Sequence, residues 1–175
     1  REHTAQVGLM GIDVASEGPF SKNSNASYLF NYRYSTFGLL TDLKLINVKE
    51  RFKYQDLSFK LNFPTKHAGT FSLWGIGGID NSSQPIEKDS TKWELDWDRV
   101  SYVWDAYKGG VGLTHKKALN STTYLHTTIA GVGNSKAMDF RQIDNYFTIH
   151  PELLLKDNTG TFSLSSTINH RFNKQ

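Results

Sequence analysis

Apolar and polar residues alternate along most of this chain. In DLSFKLNF, residues 56–63, every second side chain is leucine or phenylalanine, and polar residues stand between them. TFSLSSTINHRF, residues 161–172, has the same two-residue period. This period predicts strands with one apolar and one polar face. The sequence therefore contains almost no helix and eight strand candidates. These candidates are residues 5–15, 25–36, 53–63, 70–80, 98–116, 122–132, 145–155 and 161–173.

The connections between these candidates differ in length. Short connections rich in turn-forming residues follow the odd-numbered candidates, at residues 18–24, 64–69, 117–121 and 156–160. The last of these contains Asp-Asn-Thr-Gly, which predicts a tight hairpin. Longer connections follow the even-numbered candidates, at residues 37–52, 81–97 and 133–144, and a short amphipathic helix is expected at residues 41–52. Short turns at one end and long loops at the other are typical of an outer-membrane β-barrel.

The predicted fold class is therefore all-β, an antiparallel up-and-down transmembrane barrel. A soluble antiparallel sandwich is the alternative, since it has the same alternation with its apolar residues packed inward. The 8 tyrosines favour the membrane, because a phenol ring suits a belt that is apolar at one end and wet at the other.

The barrel interpretation assigns each strand face an environment, because lumenal and lipid-facing residues alternate. The lumen-facing candidates are polar or charged: Asn31, Arg33, Lys60, Asn62 and Arg171. The lipid-facing candidates are aromatic or aliphatic: Tyr28, Phe30, Tyr32, Tyr34, Phe59, Leu61, Phe162 and Leu164.

Composition and charge narrow the functional classes. The chain has no cysteine, so disulfides, thiol nucleophiles and thiolate metal sites are excluded. The net charge of +3 is spread over 20 basic and 17 acidic residues without the basic patch that nucleic-acid binding requires. No run of 18 apolar residues occurs, so a membrane-spanning helix is not expected.

Residues 88–107, KDSTKWELDWDRVSYVWDAY, are the most unusual segment because they concentrate aromatic and acidic side chains. One interpretation is an outer loop whose aromatic side chains contact a substrate; the other is an aromatic belt at the membrane interface with solvated carboxylates. The substrate-contact candidates are Trp93, Asp96, Trp97, Asp98 and Tyr102. Asp96 and Asp98 supply oxygen atoms but lack the other ligand positions of a calcium loop, and the six histidines have no ligand-type spacing, so no metal or catalytic site is predicted.

Two stretches resemble a known family. EGPFSKNSNASYLFNYRYSTFGLL, residues 17–40, and KYQDLSFKLNFPTKHAGTFSLWGIGG, residues 53–78, are similar to the barrel of TonB-dependent outer-membrane receptors of Bacteroidota, in particular those with a carboxypeptidase-regulatory-like domain. The similarity rests on the EGPF turn at residues 17–20, the NYRYS core at residues 31–35 and the YQDLSFK strand at residues 54–60. Over the rest of the chain only the rhythm of hairpins matches.

The resemblance implies a transporter in the bacterial outer membrane that takes up a nutrient through a plugged lumen, without a cofactor or enzymatic activity. Its implied partners are the TonB–ExbB–ExbD energy-coupling system, acting through a plug and N-terminal region, and outer-membrane lipid and lipopolysaccharide. A surface lipoprotein or another outer-membrane complex is a further candidate partner, and nucleic acid is not.

Family members have about 22 strands, a plug and a TonB-binding box. Residues 1–175 lack a plug-like segment, a recognisable TonB box and a terminal aromatic residue. The expectation is therefore a fragment, about eight strands of a larger barrel, with the plug and the remaining strands absent. Two alternatives remain open: a self-contained eight-stranded outer-membrane barrel enzyme acting on lipid, and a soluble β-barrel or β-sandwich ligand carrier.

Overall fold

The computed structural model describes residues 1–8, 11–46 and 48–172, and these form a single antiparallel sheet. Each strand pairs with the next one along the chain, so the topology is up-and-down. Within the described residues the two edge strands do not pair with each other, and the sheet is not closed. The strands are β1 Glu2–Val7, β2 Ile12–Pro19, β3 Ser27–Tyr34, β4 Arg51–Pro64, β5 Thr70–Gln84, β6 Val100–Ala118, β7 Thr123–Ile143 and β8 Ile149–His170.

Cross-strand register produces two distinct faces. Leu61, Leu73 and Leu113 are paired neighbours, and the same row continues to Ile129 and Leu164. Directly paired residues share a face, so we call the face with this row the apolar face and the opposite one the polar face. All eight lipid-facing candidates lie on the apolar face.

The polar face carries four of the five lumen-facing candidates, Asn31, Arg33, Lys60 and Asn62. Arg33 Nη2 lies 2.6 Å from Asp56 Oδ2 on the neighbouring strand. The fifth candidate, Arg171, lies just beyond β8 and donates its backbone N–H to the Thr122 carbonyl. The predicted segregation of side chains is thus confirmed within the strands, whereas contact with lipid or lumen stays a prediction.

The predicted number of strands is right, but several of the predicted boundaries are wrong. Residues 5–15 contain parts of two strands, β1 and β2, and between them Gly8 N donates to Gly11 O at 2.9 Å. Residues 145–155 and 161–173 instead belong largely to one strand, β8, which runs through the predicted hairpin at 156–160. Residues 133–144, a predicted loop, belong to β7 up to Ile143 and pair with that same part of β8. Backbone pairing between two long strands has overridden the local turn propensity.

The lengths of the connections at the two ends of the sheet differ, and this difference agrees in part with the expectation. Residues 20–26, 65–69 and 119–122 form short turns at one end, which we call the turn end. The opposite loop end has the two long connections, at residues 35–50 and 85–99, and also two short ones, at residues 8–11 and 144–148. Only two of the three expected long loops are therefore present.

The long connections contain the helical elements. The α-helix α1 spans Thr36–Asp42, earlier than the expected helix at residues 41–52, and two short 3-10 helices span Ser90–Lys92 and Asp96–Arg99. Ser35 determines where α1 begins, because its Oγ accepts a hydrogen bond from Gly38 N at 3.0 Å. Among the described residues, no helix combines the length and the apolar character needed to cross a membrane.

Aromatic rings cover glycines on both faces of the central strands. On the apolar face, a Cβ atom added to Gly75 would lie 2.5 Å from Phe59 Cε1. On the polar face, a Cβ atom added to Gly112 would lie 2.4 Å from Trp74 Cζ2. These glycines allow a ring to lie flat on the neighbouring strand, which explains part of the glycine content of β5 and β6.

Candidate functional site

A pocket lies on the polar face at the loop end of the sheet. Its volume is about 350 Å³, and its walls come from β4, β5, β6, β7 and the connection before β6. Register explains why these side chains converge, because Phe52, Ser82, Trp104 and Met138 form one continuous cross-strand row. We call it the aromatic pocket, and its lining residues are Phe52, Asp80, Ser82, Trp97, Tyr102, Trp104, Met138 and Phe140.

Trp97 forms the side of the pocket nearest the long loops. Its ring centroid lies 5.9 Å from those of both Tyr102 and Phe140. The buried side chain of Gln84 fixes its position: Trp97 Nε1 donates to Gln84 Oε1 at 2.8 Å, and Gln84 Nε2 donates to the Trp97 carbonyl at 3.0 Å. Trp97 is nevertheless 47% exposed, so a solute can reach its ring from the outside.

The two long connections meet beside this pocket. Tyr102, only 8% exposed, donates its hydroxyl to Glu50 Oε1 on the connection after α1. The neighbouring residue Lys49 places its ammonium 3.2 Å from Asp98 Oδ1 and 3.5 Å from Glu87 Oε2. These contacts join Lys49 to the loop at residues 85–99 and Glu50 to β6, so both connections lie next to the aromatic side chains.

Asp98 organises the loop from within. Its carboxylate accepts hydrogen bonds from Leu95 N at 3.0 Å and Glu94 N at 3.1 Å. Backbone hydrogen bonds from Leu95 and Glu94, followed by the side-chain hydrogen bond from Lys49, lower the pKa of Asp98 below its ordinary value. The carboxylate of Asp98 is therefore committed to loop structure.

Trp93 belongs to a second cluster outside the aromatic pocket. Its Nε1 donates to the Glu87 carbonyl at 2.8 Å, and the Arg99 guanidinium lies 5.0 Å from its ring centroid. The ring centroid of Phe147, in the turn between β7 and β8, lies 5.8 Å from the ring centroid of Trp93. Asp96 is exposed on the second 3-10 helix. Of the five substrate-contact candidates, the structure thus brings only Trp97 and Tyr102 together in one pocket.

Several of the lining residues are not among the site residues predicted from the sequence. Met138 and Phe140 lie in a predicted loop that is part of β7, and Phe52 lies at the end of a predicted loop although it belongs to β4. A local signal was present, since Met138 and Phe140 alternate with Asp139 and Arg141, although they lie on the opposite face from Leu125 and Ile129. Asp80 and Trp104 were inside predicted strands, but only the register shows that they share a pocket.

If residues 88–107 formed an aromatic belt at a membrane interface, their rings would lie on the apolar face. Tyr102 and Trp104 instead project from the polar face together with Asp80. Tyr107 and Asp105 alternate with them and lie on the apolar face. The segment therefore divides between the two sides of the sheet.

A larger cleft continues along the polar face from this pocket. It has a volume of about 860 Å³ and shares Asp80 and Trp104 with the aromatic pocket. Further along, its lining includes the Arg33–Asp56 ion pair and Lys108.

A serine, a histidine and a tyrosine lie together on the apolar face of the first strands. His3 Nδ1 lies 2.9 Å from Ser16 Oγ on the apolar face, and Tyr28 Oη lies 3.1 Å from the same oxygen. The nearby carboxylates Glu2 and Glu17 pair on the opposite face, and no carboxylate among the described residues hydrogen-bonds to His3, so the acid of a triad is missing there.

His150 contacts a carboxylate that the sequence spacing did not suggest. Its Nε2 lies 2.9 Å from Asp144 Oδ2, and Asp144 also accepts hydrogen bonds from the backbone N–H groups of Tyr146 and Thr148. The pair stabilises the turn between β7 and β8. Among the residues the structure describes, no group of three or more His, Cys, Asp or Glu side chains is arranged to hold a metal ion.

Comparisons of the chain with protein families, with curated proteins and with solved structures find no match.

Proposed function

We propose that this chain is part of the barrel wall of a TonB-dependent outer-membrane receptor that takes up a nutrient through its lumen. The observation that carries the proposal is the exposed apolar face of a single-layer sheet. Phe162 and Leu164 are 75% and 68% exposed, and they continue the apolar rows of β4 to β7. Large contiguous apolar surfaces of this kind are rare on proteins surrounded by water, and lipid would cover this one.

The two free sheet edges support the same proposal. β8 is 22 residues long and pairs only with β7 among the described residues, so its outer edge exposes unpaired backbone groups. In a membrane such groups require partners, which further strands of a closed barrel provide. The polar face would then line the lumen, with the loop end and its aromatic pocket toward the cell exterior.

In this proposal the chain performs no covalent chemistry. Energy would come from TonB–ExbB–ExbD through a plug and N-terminal region, and the strands would provide the wall, the lipid contacts and part of the solute path. The long loops at residues 35–50 and 85–99 would contact lipopolysaccharide and the arriving solute.

Cell fractionation tests the proposal. We expect the full-length protein, expressed in its host, to sediment with the outer membrane and to resist extraction with alkaline carbonate. Deleting the gene for TonB should abolish uptake of its nutrient but leave this localisation unchanged. Recovery of the protein in the soluble fraction would refute the proposal and favour a soluble ligand carrier.

A further inference from the structure

The aromatic pocket has an electrostatic feature that its role as a lumen lining does not explain. The carboxylate of Asp80 lies at its exposed rim, and in the described part of the chain it has no cationic partner within ion-pair distance. On the same face, Arg33 is paired with Asp56 at 2.6 Å and Lys136 with Asp157 at 3.4 Å, whereas Lys108, which forms no ion pair among the described residues, lines the adjoining cleft and not the pocket. A second carboxylate, Glu50, accepts the hydroxyl hydrogen of Tyr102.

The two carboxylates favour a positively charged ligand, and the uncharged walls of the pocket do so as well. Rings from four separate elements line the pocket, and the faces of aromatic rings carry partial negative charge. Trp97 and Trp104 are the side chains that attract cations most strongly in this way. The thioether of Met138 adds a polarisable surface that adapts to alkyl groups.

Other ligand classes fit less well. An anion would face Asp80 and Glu50 without a free cation inside the pocket, since Lys49 lies outside it and is paired with Asp98 and Glu87. A neutral apolar molecule would fill the space but would make no favourable electrostatic contact with the carboxylate of Asp80. The volume of about 350 Å³ suits a small ligand.

We infer that the aromatic pocket binds an alkylated ammonium group, with the rings of Trp97, Trp104 and Phe140 around the alkyl substituents and Asp80 close to the positive charge. As a statement about cargo, the inference rests on the proposed uptake function. As a statement about binding, it holds for the protein in any setting in which this sheet is folded.

Two probes of the same shape test the role of charge. Choline carries a trimethylammonium group, and 3,3-dimethyl-1-butanol is its neutral counterpart with carbon in place of nitrogen. Each probe is titrated into the purified full-length protein in a maltoside detergent, and calorimetry and tryptophan fluorescence measure the two affinities. Phosphocholine detergents are avoided because their headgroup would compete with choline. We expect choline to bind about tenfold more tightly than the alcohol.

Variants locate the effect within the pocket. Asp80→Asn should reduce choline affinity severalfold and leave the affinity for the neutral alcohol unchanged. Asp13→Asn removes a carboxylate from the same face, on β2 and outside the pocket, and should change neither. Trp104→Leu should weaken choline binding, and Trp104→Phe, which keeps a ring, should give an intermediate affinity even if the leucine variant folds poorly.

Equal affinities for the two probes, absence of saturable choline binding, or unchanged choline affinity in Asp80→Asn would each overturn the inference. These results are separate from the fate of the receptor proposal. A protein that fractionates with the outer membrane but ignores choline refutes only the ligand class. A soluble protein that binds choline through Asp80 refutes only the receptor.

Discussion

The two faces of this sheet use aromatic residues in different ways. On the apolar face, Phe30 and Phe59 are cross-strand neighbours within broad apolar rows, and the surface remains open. On the polar face, Tyr102 and Phe140 are also cross-strand neighbours, but Trp97 from the adjoining loop packs against both. The first arrangement suits a fluid, non-specific surrounding such as lipid, and the second suits a defined solute. An aromatic pair therefore acquires its role from the loop beside it and from the face it occupies.

The largest expected effect comes from placing a charge on each face in turn. Leu164→Arg puts a guanidinium on the apolar face, and Ser165→Arg puts the same group on the polar face one residue later. If lipid covers the apolar face, Leu164→Arg should cost about 2–4 kcal/mol of unfolding free energy, and Ser165→Arg much less. Urea unfolding of the protein in lipid vesicles measures both. Similar costs for the two variants would show that the faces do not have different surroundings.

Glycine substitutions probe the aromatic packing of the two faces. Gly112→Val should cost about 1–3 kcal/mol, because a Cβ there would lie 2.4 Å from the Trp74 ring. Gly131→Val, on the apolar face of the next strand, is the matched control, since a Cβ there meets no atom within 4 Å. Denaturation midpoints at equal protein concentration provide the comparison. A destabilisation of Gly131→Val as large as that of Gly112→Val would mean that backbone effects, rather than the ring, set the cost.

A smaller effect is expected for the ion pair on the polar face. The side chains of Arg33 and Asp56 are 48% and 40% exposed, so water screens their attraction. A double-mutant cycle with Arg33→Gln and Asp56→Asn should give a coupling energy of roughly 0.2–1 kcal/mol. A coupling of several kcal/mol would indicate that the polar face is dry, contrary to a water-filled lumen.

The smallest expected effect is a response of the loop beside the aromatic pocket to acid. The folded-state pKa of Asp98 lies below the ordinary aspartate value of 3.8, so its hydrogen bonds contribute fully above that value and are lost as the pH falls through the lowered pKa. Tryptophan emission should stay constant from pH 7 to pH 5 and change only in stronger acid, while the far-ultraviolet circular dichroism of the sheet persists. The Asp98→Asn variant should lack this emission change, and a change already complete at pH 5 would contradict the assignment.

Alternation along the chain located most strand interiors correctly. It also separated the two faces, because the direction of a side chain in a strand depends only on its position relative to its neighbours. It failed where local and non-local preferences compete. Asp157 and Gly160 are good turn residues, yet they pair with Lys136 and Gly133 on β7 and lie inside β8. The pairing partners of a segment are not encoded in that segment alone.

By itself, therefore, the sequence determined the all-β class with eight strands, the assignment of residues to an apolar or a polar face, and the concentration of aromatic and acidic residues around 88–107. Only the tertiary structure decided which of those residues meet. The aromatic pocket combines Phe52, Asp80, Trp97, Trp104 and Phe140, which come from five different elements. Their convergence depends on the register of four strands and on the path of one loop. Register is set by the summed pairing of whole strands, and for that reason no short stretch of this chain reveals the pocket.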